Sequence, residues 1–215
     1  MTRPSVTLKL ASSLDGRIAT ASGESRWITG EAARAAVQTL RASHDAVGVG
    51  AGTAIADDPM LTARTDPPPA QQPWRVVFDR SLRVTPAMKL FQSVAQGPVA
   101  LVTTGDAAAF ASHGVTIVPC DPAASAKAML EALAQATGVS SILIEGGGVL
   151  AAALIAEGCV DLLEWFRAPL LLGSEGRDAM GPLGLARLSD APRFRRLAVA
   201  ELGDDLHETY VRAEQ

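Results

Sequence analysis

The sequence predicts an α/β protein with a mostly parallel central sheet, helices on both faces and an antiparallel C-terminal edge. Three observations carry that expectation. Short apolar strand patterns alternate with helical patterns as far as residue 156, the rhythm of strand–helix–strand units. Several strand patterns, such as Ile142-Leu143-Ile144, are apolar throughout, as they must be where helices cover both faces. Beyond residue 161 three strand patterns follow one another with no helix of comparable length, which suits an antiparallel addition to the parallel core.

Val6-Thr7-Leu8-Lys9-Leu10 alternates apolar with polar residues and reads as the first strand. Asp15-Gly16 is a turn signal, and the Gly/Ser-rich run 21–25 is too polar for a core. Thr29 is placed to cap a helix running through Val37 and Leu40 to about Ala42, with Glu31 in the first turn, where the macrodipole favours a carboxylate. Residues 46–49 form a short buried strand, and Gly50-Ala51-Gly52-Thr53 a small-residue turn. The proline-rich stretch 66–73 is the best loop candidate, and 74–78 the next strand. Residues 99–102, 115–118 and 142–144 are further strands. A helix over 123–136 separates the last two and ends at Gly138. The final strands are expected over 162–167, 195–199 and 206–211.

Bulk properties exclude several classes of function. The chain has 215 residues, 48% hydrophobic and 20% charged, with a net charge of −4 and the two signs interleaved. That describes one ordinary folded unit rather than a disordered tail, and it offers no basic stripe for nucleic acid. Cys120 and Cys159 stand far apart and out of metal-type spacing, as do His44, His113 and His207, so a reduced, cytoplasmic setting without a metal is expected. Neither a secretory leader nor a membrane span is expected, because the longest apolar run, 149–156, is too short to cross a bilayer.

The strongest chemical signal is Ser141-Ile142-Leu143-Ile144-Glu145-Gly146-Gly147-Gly148-Val149-Leu150. A buried strand runs into three glycines and then an alanine-rich helix. Glycine permits close approach of a ligand to the backbone, and the free amides that open a helix attract phosphate. A tight turn needing glycine for packing alone has the same appearance, and the spacing is not that of a Rossmann fingerprint. Glu145 is either a polar-ligand acceptor or a solvated rim residue. Lys9 projects from the face opposite Leu8 and Leu10, and is either exposed or directed into a cleft. Trp27 is either a core plug or a wall for a flat ring. Arg41 and Arg64 are either surface residues or clamps for an anion, since a guanidinium fork matches phosphate oxygens. The zinc deaminase signature is missing, because Pro119-Cys120 is followed by Ala123 where a second cysteine is needed. With no nucleophile elbow or phosphate-loop lysine either, a dissociable organic cofactor has to carry any difficult chemistry.

Taken in order, four segments resemble the reductase half of the bifunctional riboflavin-biosynthesis deaminase–reductase family. They are residues 9–17, Ser-Gly-Glu-Ser-Arg-Trp-Ile-Thr at 22–29, Ala56-Asp57-Asp58-Pro59 through Arg64, and Ile144-Glu145-Gly146-Gly147. Ala168-Pro169-Leu170-Leu171-Leu172-Gly173 and Gly203-Asp204-Asp205-Leu206 look like its late strands. The resemblance implies a dihydrofolate-reductase-like fold, a homodimer, and NADPH-dependent reduction of the ribosyl group of 5-amino-6-(5-phosphoribosylamino)uracil to the ribityl form. By position it implies that Ala11, Trp27, Thr53, Asp57 and Gly146, Gly147, Gly148, Val149 and Leu150, with the helix to Ala153, hold NADPH. Ser25, Arg41, Leu61, Arg64 and Glu145 would hold the sugar-phosphate pyrimidine substrate. Lys9, Asp57 and Glu145 would act on the reaction itself.

Residues 1–215 then read as a single reductase domain, with a separate deaminase expected elsewhere in the pathway. Asp79-Arg80-Ser81 departs from the Asp-Ser expected at the adenosine end of the cofactor, and Glu164-Trp165-Phe166-Arg167 is unusual in a late strand. Two alternatives remain open at this point. One is a reductase of the same fold acting on another pyrimidine or pterin, such as dihydrofolate. The other is a catalytically silent, nucleotide-binding partner subunit.

Overall fold

The computed structural model describes residues 2–213. Among the described residues there are eleven strands: β1 Ser5–Ser12, β2 Arg17–Ala19, β3 Ala46–Gly50, β4 Trp74–Phe78, β5 Val99–Thr103, β6 Thr116–Pro119, β7 Ser141–Glu145, β8 Leu162–Arg167, β9 Arg177–Asp178, β10 Phe194–Leu202 and β11 Asp205–Arg212. The helices are α1 Glu31–Ala42, α2 Ala51–Asp57, α3 Lys89–Gln92, α4 Ala108–Ala111, α5 Ala126–Thr137 and α6 Gly148–Ala156. Nine strands form one sheet in the order β10-β11-β8-β1-β7-β3-β4-β5-β6, and β2 pairs with β9 in a separate small ribbon.

The pairs from β8 through β6 are parallel, whereas β8–β11 and β11–β10 are antiparallel, as the sequence pattern predicts. A core on one face joins Val6, Leu8 and Leu10 of β1 to Leu130 and Leu133 of α5 and Leu154 of α6. The other face splits into two clusters, one around Phe91 and Phe110 of α3 and α4, the other around Val37 of α1 and Phe166 of β8. Because β1 is central, its alternation sends Leu8 and Leu10 into the first core and Lys9 to the opposite face. Helices on both faces and the antiparallel C-terminal edge complete the α/β architecture expected of a dihydrofolate-reductase-like fold.

Three local expectations need correction. The helix starting near residue 30 is capped by Gly30 rather than Thr29, and no side chain of its own closes that end. The Asp205 carboxylate, 3% exposed at the start of β11, accepts the Gly30 amide at 2.6 Å instead. The cap therefore comes from a residue 175 positions away, which no local rule can see. The 50–53 segment is the entrance to α2, not a turn. The helix expected from 123 begins at Ala126, because the Ser125 side chain accepts the Ala128 amide and fixes the boundary there.

Asp205→Ala should free the N-terminal end of α1 and lower stability by about 1–2 kcal/mol, the usual worth of a lost helix-end acceptor. For a chain of this size that corresponds to a fall of roughly 2–8 °C in Tm. Thermal denaturation followed by circular dichroism measures it, and an unchanged Tm would mean that α1 needs no cap.

Candidate active site

The carboxyl ends of β1, β7, β3 and β4 open onto one cleft of about 780 Å³. Lys9 and Glu145 are register partners on the adjacent strands β1 and β7, so their side chains share a face at its floor. The chain then turns through Gly146 (φ +74) and Gly147 (φ +88), left-handed conformations that only glycine adopts freely. α6 follows at once, and its first intrahelical bond is donated by the Ala151 amide to the Gly147 carbonyl at 2.9 Å. The amides of residues 148–150 therefore have no carbonyl one turn behind them and border the cleft. Val149 is 82% exposed at this point, which leaves space before the helix end.

Arg41, in the last turn of α1, grips Glu145 with two parallel hydrogen bonds, Nε to Oε1 at 2.6 Å and Nη2 to Oε2 at 2.8 Å. Its remaining Nη1 donates to the Thr62 carbonyl at 2.9 Å, so helix, strand and loop meet at one guanidinium. Burial alone would push the Glu145 carboxyl up. The hydrogen bonds and charge of Arg41, aided by Lys9 and Arg64, outweigh it and hold the carboxyl below the ordinary range. Lys9 is lowered, chiefly by burial; Glu145 opposes the shift and Arg41 adds to it. Its ammonium lies 5.8 Å from the centroid of the Phe166 ring. Among the described residues no carboxylate comes within 4.0 Å of Lys9: both oxygens of its register partner Glu145 are turned to Arg41, and its other register partner, Glu164, is bonded to His207 and Thr209.

Thirteen of the fifteen residues singled out from the sequence line this cleft: Lys9, Ala11, Ser25, Arg41, Thr53, Asp57, Leu61, Glu145, Gly146, Gly147, Gly148, Val149 and Leu150. Two do not. Trp27 is 69% exposed, neither core plug nor cleft wall, with the Arg34 guanidinium 4.5 Å above its ring. Arg64 is exposed beyond the wall and reaches the site only through its charge on Glu145.

The sequence reading missed Ile18 and Arg177, which bring the β2–β9 ribbon to the cleft mouth. Strands of three and two residues carry no periodicity to detect. The unusual late-strand segment also has a structural account. Glu164 is buried and accepts His207 Nε2 at 2.6 Å and Thr209 Oγ1 at 2.7 Å, while Trp165 Nε1 donates to Ser12 Oγ at 2.8 Å. No group of three or more potential metal-ligating residues occurs among the described residues.

Glu145→Gln should leave Arg41 buried without its counter-charge and cost roughly 3 kcal/mol at neutral pH. The sign with pH follows from the direction of the shift. A carboxyl held low in the fold contributes stability above its unfolded pKa of about 4.3, and that contribution is lost as pH falls through the folded value. Urea unfolding of both proteins should therefore show a gap that is wide at pH 7 and closes below about pH 4. A gap independent of pH would mean that the pair is not ionised.

The comparisons with known proteins converge. The family model described as the RibD C-terminal domain matches residues 4–207. The riboflavin biosynthesis protein RibD of Actinobacillus pleuropneumoniae is 35% identical over 97% of this chain and 57% of that protein, and that of Escherichia coli 37% identical over 94% and 58%. A RibD structure from Acinetobacter baumannii superposes with a TM-score of 0.87 at 34% identity, covering 98% of this chain and 58% of that one. A Thermotoga maritima structure described as a diaminohydroxyphosphoribosylaminopyrimidine deaminase/5-amino-6-(5-phosphoribosylamino)uracil reductase gives 0.84 at 30% identity, covering 98% and 57%. The chain thus spans a little over half the length of these relatives. With the cleft, its lysine and its glycine bend in place, this chain belongs to the RibD C-terminal domain family.

Proposed function

We propose that this chain is an NADPH-dependent reductase of riboflavin biosynthesis, converting the ribosyl group of 5-amino-6-(5-phosphoribosylamino)uracil into the ribityl form. One observation carries the reading: Lys9 of β1 is the register partner of Glu145, the last residue of β7, and lines the same cleft as the Gly146–Gly148 bend that follows it. The cleft also fits a dinucleotide in kind. It has left-handed glycines whose backbone a phosphate can approach, unpaired helix-opening amides beside them, and a lysine with no carboxylate within 4.0 Å among the described residues.

Bound there, the cofactor would supply a hydride. Ala11, Thr53, Asp57 and residues 146–150 would hold it, with Asp57 positioning from the last turn of α2. Ser25, Arg41 and Leu61 would face the sugar phosphate, with Arg64 adding positive charge from outside the wall. Glu145 keeps lone pairs beyond those used by Arg41 and can accept hydrogen bonds from ribose hydroxyls. Reduction of the open-chain imine adds hydride to its carbon and needs a proton on its nitrogen. Lys9 Nζ–H is the donor suited to that atom, because burial lowers its pKa and makes the ammonium a readier acid. Alignment of the two reactants across one cleft would provide much of the remaining rate.

The deamination named in the Thermotoga relative's description is assigned outside these 215 residues, which lack the zinc deaminase signature. We also read the chain as a cytoplasmic homodimer. β10 is an edge strand of nine residues with Leu197 and Val199 about half exposed, and an edge of that length calls for cover. No described helix is long and apolar enough to cross a membrane.

The direct test is the decay of NADPH absorbance with the ribosylaminouracil phosphate, repeated with dihydrofolate. Turnover with the first substrate alone is expected, and turnover with dihydrofolate alone would transfer the reading to a pterin reductase. Lys9→Met should bind NADPH with nearly unchanged Kd while kcat falls about 100-fold or more, the usual scale for loss of a proton donor. Wild-type turnover in that variant would remove Lys9 from the chemistry.

A further inference from the structure

Strand β8 carries a buried glutamate for which the reaction proposed above has no use. Glu164 is the register partner of Lys9 on β8, as Glu145 is on β7, so the lysine stands in one row between two carboxylates. Register partners on adjacent strands lie about 4.8 Å apart, a gap that two long side chains close easily. Neither carboxylate comes within 4.0 Å of the ammonium all the same.

Glu164 turns the other way. It is 7% exposed, and its Oε2 accepts both His207 Nε2 at 2.6 Å and Thr209 Oγ1 at 2.7 Å, from the adjacent strand β11. The His207 ring stacks on Phe166, with centroids 4.2 Å apart and planes 6° from parallel, and Lys9 Nζ lies 5.8 Å from that same Phe166 centroid. β8 runs between β1 and β11, so the strands of the lysine and the histidine flank Phe166 on opposite sides. The face of α1 above this row is apolar, with Ala33 and Val37 packed on Phe166. The charged groups facing Lys9 are therefore Glu145 of β7 and Arg41 of α1 on one side and Glu164 of β8 on the other. Those facing Glu164 are Lys9 and His207. Arg167 and Glu208, which pair with each other, belong to the opposite face of the sheet, as the alternation along β8 and β11 requires.

Resting on the reductase reading, we propose that His207, assisted by Thr209, is a positioning residue: by engaging Glu164 it keeps that carboxylate off Lys9 and leaves the ammonium for the substrate. The arrangement repeats on β8 what Arg41 does to Glu145 on β7. Each glutamate beside the lysine is held by a donor from an element that the lysine does not belong to. A carboxylate released onto Lys9 would hold its proton and oppose the effect of burial, which makes the ammonium a poorer acid.

Direct titration of Lys9 by NMR tests the contact without relying on turnover. The chain holds three lysines, Lys9, Lys89 and Lys127, and the last two are exposed. Isotopic labelling of the lysine Cε gives each its own resonance, and the one lost in Lys9→Met is that of Lys9. In His207→Ala, Lys9 should titrate about one pH unit higher than in the wild type. Its kcat at neutral pH should fall roughly three- to tenfold, with the Kd for NADPH nearly unchanged. In the double variant Glu164→Gln/His207→Ala the titration should return to the wild-type position, because no carboxylate remains to move. Thr209→Val, which leaves the ring stack in place, should give a smaller rise and serves where His207→Ala does not fold. An unmoved Lys9 titration in His207→Ala, or in Thr209→Val in its place, would overturn the proposal. So would a rise that persists in the double variant, since it would assign the effect to the lost ring rather than to the carboxylate. Turnover that stays at the wild-type level while the titration moves would overturn the role given to the contact. A titration that moves as expected in a protein whose wild type turns over no ribosylaminouracil phosphate would bring down the reductase reading and leave the Glu164 contact standing.

Discussion

The site depends on the two-pronged pair between Arg41 and Glu145. It joins the last turn of α1 to the last residue of β7, and through Arg41 Nη1 it fastens the loop at Thr62 to both. The pair also sets the charge state of the cleft floor. Because Arg41 occupies both oxygens of Glu145, the carboxylate does not close onto Lys9, although the two residues are register partners on neighbouring strands. A lysine so close to a free glutamate would form an ion pair, and its proton would be held where no substrate needs it. The arginine thereby keeps the lysine free of an ion pair with Glu145.

Around that centre the backbone is shaped by contacts between distant segments. Asp15 accepts the Gly173 amide at 2.8 Å, Leu14 donates to the Leu170 carbonyl at 2.8 Å, and Ala168 donates to the Ser12 carbonyl at 2.8 Å. The turn that follows β1 is in this way tied to the segment that follows β8. Gly181 donates to the Gly148 carbonyl at 3.0 Å, which brings the same late segment against the opening of α6. A side chain at Gly148 would come within 3.2 Å of the Gly181 nitrogen, so the third glycine of the bend serves packing while the first two serve conformation. The run thus meets two structural demands, left-handed backbone at its first two members and close packing at its third.

What the sequence disclosed and what it concealed follow from the range of the interactions. Strand alternation, the apolar runs of the parallel strands and the C′ position of Gly138 are local, and the corresponding elements lie where the pattern puts them. The glycine bend was legible for the same reason, since strand, turn and helix follow without interruption. Gly30 as a cap was not, because its partner Asp205 belongs to the other end of the chain. Nor was the exposure of Trp27, because nothing local distinguishes a tryptophan seated under Arg34 from one lining a cleft. Arg177 escaped because β2 and β9 are too short for any period, and Arg80 stood out only against an expected motif.

The distribution of charge adds a constraint of its own. The chain carries a net charge of −4, which by itself would repel a phosphorylated sugar and a dinucleotide alike. The cleft reverses that sign. Its walls hold Lys9, Arg41, Arg80, Arg83 and Arg177 against Asp57, Asp79 and Glu145, five cationic side chains to three acidic ones. Two of the three acids are already committed, Glu145 to Arg41 and Asp79 to the amides of its own turn, whereas Arg80 and Arg177 have no acidic partner within 4.0 Å among the described residues. A low-dielectric hollow with excess positive charge inside an acidic surface focuses the field inward, so polyanions are drawn to the cleft and away from the rest of the molecule. The cations are also spread along the floor rather than massed at one point, with Lys9 and Arg41 at one end and Arg80 and Arg83 at the other. That spacing suits a ligand set whose negative charges are themselves separated. A single compact anion would meet the cations at one end and leave those at the other unused.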